Sequence, residues 1–494
     1  MPALQHPYYP IIYVRGYAMT QNEIEATVAT PYMGFNLGST KIKQEWDRSI
    51  SRHIFESPLV RLIKDYQYCD AYRDGQPVQG PLPARSVVIY RYYDQGSKQL
   101  GEGDTPSIAE AAEGLSQLVL TLREQVCGDD AEARKRFKVY LVAHSMGGLI
   151  SRCFLQNDAV GSPEAKALVD KVFTYGTPHN GIDVRVFGLN VPSALGLFDA
   201  NNFSRKRMAE YLGLPKNSER VDNLNERFDP KRFFCLVGTN HRDYNLARLG
   251  IGPMSDGLVK IENATVQDAP RAFVYRSHSG DFGLVNSEEG YQNLVRFLFG
   301  DTYVTGMLET DCVPLPPRVE EAKNKGLAVR ASYLFEATVT PRGAFNVNLT
   351  ERRADDSSAI FRSFDELFPP KGTTAAKVRS PVLFSIFLDS AKIEVGNTMV
   401  FGLKLTVRST DYQILQTGKR FPAEVLFDEA ITIRATVKSD GWRLRYVLSD
   451  QWSESLGRDM TLDPETGLCR VPLANKKGFE GNLVLDFSLW NKLG

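Results

Sequence analysis

The chain of 494 residues is poor in cysteine, histidine and tryptophan, with six, six and four. The cysteines, at positions 69, 127, 153, 235, 312 and 469, follow neither metal-ligand spacing nor a disulfide framework. Several lie in apolar segments, such as Cys235 in RFFCLVG, where a buried free thiol is expected. That usage suits a reducing compartment. Net charge is also missing: Lys plus Arg and Asp plus Glu are 59 each. A general nucleic-acid binder, which needs a cationic surface to neutralise phosphates, is thereby excluded, though a local basic patch is not. No stretch approaches the roughly 18 uncharged apolar residues of a membrane-spanning helix. The opening MPALQHPYYPIIYVRG lacks the basic start, apolar run and small-residue cleavage site of a signal peptide. A cytoplasmic location is the default expectation, with leaderless export the alternative. No His-rich or carboxylate-rich cluster points to a metal, and no cofactor is expected.

What is present is ordinary globular material, 43% hydrophobic and 24% charged, long enough for two or three domains. There is no internal repeat or long low-complexity tract. The first 300 or so residues alternate short apolar runs with helical patterns. YPIIYVRG (9–16), SVVIYRYY (86–93), KVYLVAHS (138–145), KVFTYGTP (171–178), RFFCLVGT (232–239) and RAFVYRSH (271–278) read as strands. Residues 105–126 read as a helix, with Thr105 and Pro106 as cap and first-turn residues. GGLISRCFLQND (147–158) reads as a second helix, and 287–300 as a last one. Strands alternating with helices require crossovers and a mostly parallel sheet, with ligand sites at the strands' carboxyl ends.

After Gly300 the pattern becomes period-two, in segments such as TMVFGLKLTVR and NLVLDFSLW. Asp440-Gly441 between alternating runs signals a hairpin. The expected domains are therefore 1–305, a proline-rich linker at 306–318 and an antiparallel β-sandwich at 319–494.

The stretch LVAHSMGGLI (141–150) carries the chemistry. A strand breaks at Ser145 between small residues, with Ala143 two before it and Gly147 two after, and His144 and Met146 alongside. A serine hydroxyl is a weak nucleophile until a base takes its proton, and that base needs an orienting partner. An exposed serine on a tight strand-to-helix turn, with small flanks, is the nucleophile elbow of α/β-hydrolases, here in the relaxed form Ala-x-Ser-x-Gly. The order Ser, acid, His of that fold leaves His179, His241 and His278 as bases. His278 ends a strand and precedes the final helix, where the base belongs, so it is chosen over the other two. Asp256, in GPMSDGLV, follows the preceding strand and is the chosen acid. Asp243 is the runner-up, and Asp281 would reverse the order. The oxyanion hole calls for the N–H of Met146 and a second donor from the loop after an early strand, assigned to Tyr17 beside Gly16.

Together, VRGY, VAHSMGG, YGTPHNG, SDGLV and the final HSG resemble the bacterial triacylglycerol lipase and GPI inositol-deacylase-like branch of the α/β-hydrolases, over residues 9–300. Where many lipases carry His-Gly, this chain has Arg15-Gly16. The resemblance implies ester hydrolysis through an acyl-enzyme on Ser145, with His278 shuttling the proton and Asp256 orienting it. Lipid or another ester is the expected partner, with a membrane or micelle surface as an expected place of encounter. About fifty residues separate TPHNG from RFFCLVG, far more than the roughly 2–6 of a strand–helix loop. Residues 184–203 are apolar and 204–214 read as a basic amphipathic helix, so 183–222 form a mobile lid or a fixed cap. A second insertion, residues 18–60, is a further candidate to shape the pocket. The β-domain either contacts lipid or a partner, or only packs. Acyl transfer with the same residues, a short-chain esterase with a fixed cap, and a non-catalytic binding module are the alternatives.

Overall fold

The structure, a computed structural model, describes residues 4–16, 41–44, 48, 50–53, 58–73, 76–92, 106–182, 200–243, 253–280, 283–342, 347–369, 381–393, 396–438, 441–448 and 457–491. Tyr17, residues 183–199 of the expected lid, most of 18–60, Thr105 and Asp281 lie outside them. Internal contacts divide the chain into two units, residues 1–271 with 275–299, and residues 300–494 with 272–274.

The first unit is built on β1 (Ile11–Val14), β2 (Cys69–Asp70), β3 (Ser86–Tyr90), β4 (Val139–His144), β5 (Val169–Tyr175) and β6 (Phe233–Gly238), and the sheet continues into β7 (Arg271–Val274), of which only Arg271 groups with this unit. They form one parallel sheet in the order β7-β6-β5-β4-β1-β3-β2. The inner strands are nearly continuous apolar runs, buried along their length, as a sheet covered on both faces requires. The two-residue edge strand β2 went unpredicted, because so short a segment has no periodicity to read. Its helices include α1 (Pro58–Tyr66), α2 (Ile108–Cys127), α3 (Met146–Gln156), α4 (Arg205–Tyr211) and α5 (Glu288–Phe299). The expected start of α2 at Thr105 is corrected. Ser107 caps it, its hydroxyl accepting from the Glu110 amide while the Glu110 carboxylate accepts from the Ser107 amide. On one face of the sheet, Phe173 stacks on Phe234 at 4.9 Å, with Phe297 of α5 against both.

Chain order and sheet order part company at β1, which lies between β3 and β4, with Val14 beside Ala143 in register. The chain crosses over β1 through α2 to reach β4. The carboxyl ends of β1 and β4 therefore meet at a reversal of strand order, where doubly wound sheets open a crevice.

The second unit corrects the linker. Thr302–Cys312 is a strand with alternating burial, paired antiparallel to Val382–Leu388 on one side and Glu480–Leu489 on the other. Pro317–Asn324 is a helix with proline in its first turn. Of the prolines that suggested a linker, Pro314 and Pro316 separate these two elements and Pro317 opens the helix. A second antiparallel sheet contains Ser332–Pro341, Thr398–Ser409, Val425–Lys438 and Gly441–Leu448. Lys438 pairs with Gly441, which joins the strands of the expected hairpin; its turn lies outside the described residues. One sheet contributes Phe335, Phe401, Leu403 and Ile433 to a core that also holds Val304, Leu308, Ile386 and Leu483 from the other.

At the amino end of β5, Lys171 is buried beneath the sheet. Its ammonium donates to Leu298 O at 3.0 Å, lies 3.6 Å from Asp170 and faces the Tyr140 ring at 5.1 Å. Burial pulls its pKa from 10.5 down to about 7. The folded state thus releases a proton that the unfolded chain keeps up to about pH 10.5, so this lysine's cost is full below pH 7 and fades as pH rises. The stability gained in Lys171→Met relative to wild type should accordingly fall between pH 7 and 10, by up to about 1.4 kcal/mol per pH unit in urea titrations. A pH-independent difference would contradict this account.

Candidate active site

Ser145 joins β4 to α3 with φ 52° and ψ −123°, a region that L-residues with side chains seldom occupy. It stands at the N-cap position, where a serine oxygen ordinarily accepts from an amide of the first turn, yet its side chain makes no cap bond. Instead Oγ lies 3.0 Å from His278 Nε2. The turn is held from several sides. Ser145 N–H donates to Tyr175 O at 2.9 Å, and the Thr177 hydroxyl donates to Ser145 O at 2.9 Å. A side chain at Gly147 would place its Cβ 2.1 Å from Val14 O, so only glycine lets α3 start this close to β1.

His278 Nδ1 is 2.8 Å from Asp256 Oδ2. A carboxylate facing another donor accepts, so Nδ1 carries the proton and Nε2 presents its lone pair to the serine hydroxyl. The other oxygen of Asp256 accepts from the amides of Leu258 at 3.0 Å and Val259 at 2.7 Å. The His278 amide donates to Asp256 O at 2.9 Å, so ring and backbone are both tied to the acid. All three side chains are buried. Met146 opens α3, and by position its amide has no intrahelical acceptor. Tyr17 lies outside the described residues, but Gly16 does not. A Cβ there would lie 2.8 Å from that of Ser145, so the β1 loop runs directly against the nucleophile candidate.

Ser145, His278, Asp256, Met146 and Gly147 are therefore brought together, with Ala143 beneath them in β4. Asp243, the runner-up acid, accepts from Asn240 Nδ2 at 2.6 Å instead. His179 is fully buried and bonded to Thr174 Oγ1 at 3.1 Å, a structural position. Gly176 of YGTPHNG follows the last residue of β5. With φ 52°, it has no side chain to crowd Asp256 Oδ2 and His278 Nδ1, which a Cβ would meet at 3.0 and 3.2 Å.

Sequence reasoning missed Arg152. This α3 residue is fully buried, and burial pulls its pKa down to about 10, which leaves it charged at neutral pH. It donates to His179 O at 2.8 Å, Val221 O at 2.6 Å and Asn223 O at 2.8 Å. Gln156 and Asn157 donate to Leu212 O and Tyr211 O at the end of α4. Helix α4 spans 205–211 rather than 204–214, and it buries Met208 and Ala209 while Lys206 and Arg207 face outward. The described part of the expected lid is thus bonded to α3. No pattern marks such an arginine in sequence, because its partners are distant carbonyls.

The sheet order, the strained serine turn at its reversal point and the histidine and aspartate on following loops define an α/β-hydrolase fold. Among solved structures, the chain is similar to phospholipase PlaB from Legionella pneumophila. The identity is 12% over 80% of this chain and 86% of that one, with a TM-score of 0.32. It is also similar to the lin2722 gene product of Listeria innocua, at 15% identity over 59% and 93%, with a TM-score of 0.30. No protein-family model and no curated protein matches it. No described helix is long and apolar enough to cross a membrane.

Arg152→Met should leave the two buried carbonyls of His179 and Val221 without their donor, at roughly 1–3 kcal/mol each if neither relaxes, and deprive the partly buried Asn223 carbonyl of one of its donors. Urea unfolding should show the loss, and amide exchange should speed up at residues 221–224. An unchanged midpoint would mean water replaces the guanidinium.

Proposed function

We propose that the chain is a serine carboxylester hydrolase of lipase or phospholipase type. The observation that carries this reading is the aligned pair of bonds, Ser145 Oγ to His278 Nε2 at 3.0 Å and His278 Nδ1 to Asp256 Oδ2 at 2.8 Å. As the Ser145 oxygen attacks the ester carbonyl, its proton passes to His278 Nε2, and Asp256 stabilises the imidazolium so formed. The carbonyl oxygen becomes an oxyanion beside the Met146 amide, with Tyr17 N–H as the second donor. His278 then protonates the departing alkoxide, which leaves Ser145 acylated. A water gives a proton to His278, attacks the acyl carbon and releases the acid, and the proton returns to Ser145.

The strain at Ser145 favours this reading over an ordinary N-cap serine. A capping role needs no positive φ, whereas a nucleophile held on a tight strand-to-helix turn does. Lipid-type esters are the proposed substrates because residues 184–203 carry Phe187, Leu189, Val191, Leu195, Leu197 and Phe198 with little charge.

Hydrolysis of p-nitrophenyl esters from acetate to palmitate should be abolished in Ser145→Ala and lowered roughly 1,000- to 10,000-fold in kcat by Asp256→Asn, which removes the acceptor that sets the His278 tautomer. Activity rising toward long chains supports a lipase, and activity confined to acetate and butyrate a short-chain esterase. Capture of the acyl group by added alcohol in preference to water would mark a transferase. Equal turnover by wild type and Ser145→Ala would refute the assignment.

A further inference from the structure

His278 lies beyond the last strand of its sheet, on a loop where the neighbouring Ser277 makes an isolated bridge with Gly283, and its ring must stay within bonding distance of Ser145. Two bonds fix its own peptide groups. Its amide donates to Asp256 O at 2.9 Å, and its carbonyl oxygen lies 2.9 Å from His144 Nε2. A carbonyl only accepts, so His144 carries a proton on Nε2 and donates it. His144 is the last residue of β4, immediately before Ser145. One bond thus connects the loop of the base to the strand of the nucleophile.

We infer that His144 is a positioning residue, whose Nε2–H pins the His278 peptide to the end of β4 and so sets the Ser145–His278 separation. This inference rests on the serine-hydrolase reading above. Three features make the ring suited to the task. It is rooted in a strand paired on both sides, since His144 stands opposite Tyr175 of β5 and Ala143 opposite Val14 of β1. The β1 loop confines it, because a Cβ on Gly16 would lie 3.0 Å from His144 Nδ1. It also remains neutral. Burial first, and then the positive charge that His278 can carry, pull its pKa down to about 3. The two ring centroids are only 5.1 Å apart, so a second cation there would oppose the imidazolium that forms on His278. A neutral donor supplies the hydrogen bond without that repulsion.

Mere packing and positioning make different demands. Packing needs a ring-sized apolar body, whereas positioning needs a donor at the ring's far edge. His144→Leu keeps bulk without the donor; His144→Gln has an amide N–H that reaches in the same direction. Each is compared with wild type for kcat and KM on p-nitrophenyl butyrate, for thermal midpoint, and for labelling of Ser145 by a fluorophosphonate. The leucine variant should lose roughly 10- to 100-fold in kcat with KM nearly unchanged, as expected when a reacting group is misplaced by about 1 Å. The glutamine variant should recover to within about five-fold of wild type. A folded leucine variant with wild-type kcat overturns the inference, as does equal loss in both variants with matching falls in midpoint. If the leucine variant does not fold, the glutamine variant decides: near-wild-type kcat supports the inference, and a folded variant with a loss of roughly 10-fold or more overturns it. These results leave the hydrolase reading standing, because wild type still turns over and still takes the label at Ser145. Wild type that does neither removes the hydrolase reading, and this inference with it.

Discussion

The backbone of Ser145 is the constraint on which the site depends. Its φ of 52° with ψ of −123° costs on the order of 1–3 kcal/mol, and it persists because the surroundings over-determine it. The Tyr175 carbonyl takes its amide and the Thr177 hydroxyl holds its carbonyl. Gly147 meanwhile allows α3 to begin in contact with β1. A relaxed serine in this place would turn its oxygen onto the first amides of the helix. Held in this conformation, the oxygen faces His278 and makes no cap bond to those amides.

The residues around this turn share a logic of satisfied polar groups. Asp256 is almost fully buried, and each of its oxygens has a donor, two amides on one and the imidazole on the other. That arrangement offsets the cost of burying a carboxylate and fixes its direction. Arg152 does the same on α3, with three carbonyls around one guanidinium that tie α3 to residues 179, 221 and 223. Lys171, at the opposite end of the sheet, is buried as well, and burial lowers its pKa as it does that of Arg152.

Much of this was legible in the sequence, for identifiable reasons. Buried parallel strands must be apolar along their length, so IIYV, SVVIY and FFCLVG stand out, and the serine turn needs small flanks that a five-residue pattern can display. The choice of His278 and Asp256 followed from chain order, and hydrogen bonds join Asp256 to His278 and His278 to Ser145. The failures also have physical causes. Prolines at 314, 316 and 317 resembled a linker because local composition does not reveal that residues 302–312 already pair with strands nearly eighty and one hundred and eighty residues away. The start of α2 was placed at Thr105-Pro106, although the reciprocal bonds of Ser107 and Glu110 form the cap. Arg152 left no trace, since its acceptors are backbone carbonyls that carry no residue signature.

The sequence by itself determined the alternation of strand and helix, the change to period-two strands after Gly300 and the residue types that meet at the site. Each of these is a local property, set by side-chain period, turn chemistry and residue order. Tertiary structure alone decided the rest. Which histidine reaches the serine, which carboxylate holds that histidine, and which ring grips the His278 carbonyl follow from where β4, β6 and β7 end in the sheet, and the approach of Gly16 to the serine turn follows from the reversal of strand order at β1. That reversal brings the ends of β1 and β4 together, and distances between strand ends are set by sheet register, which no local stretch of sequence contains.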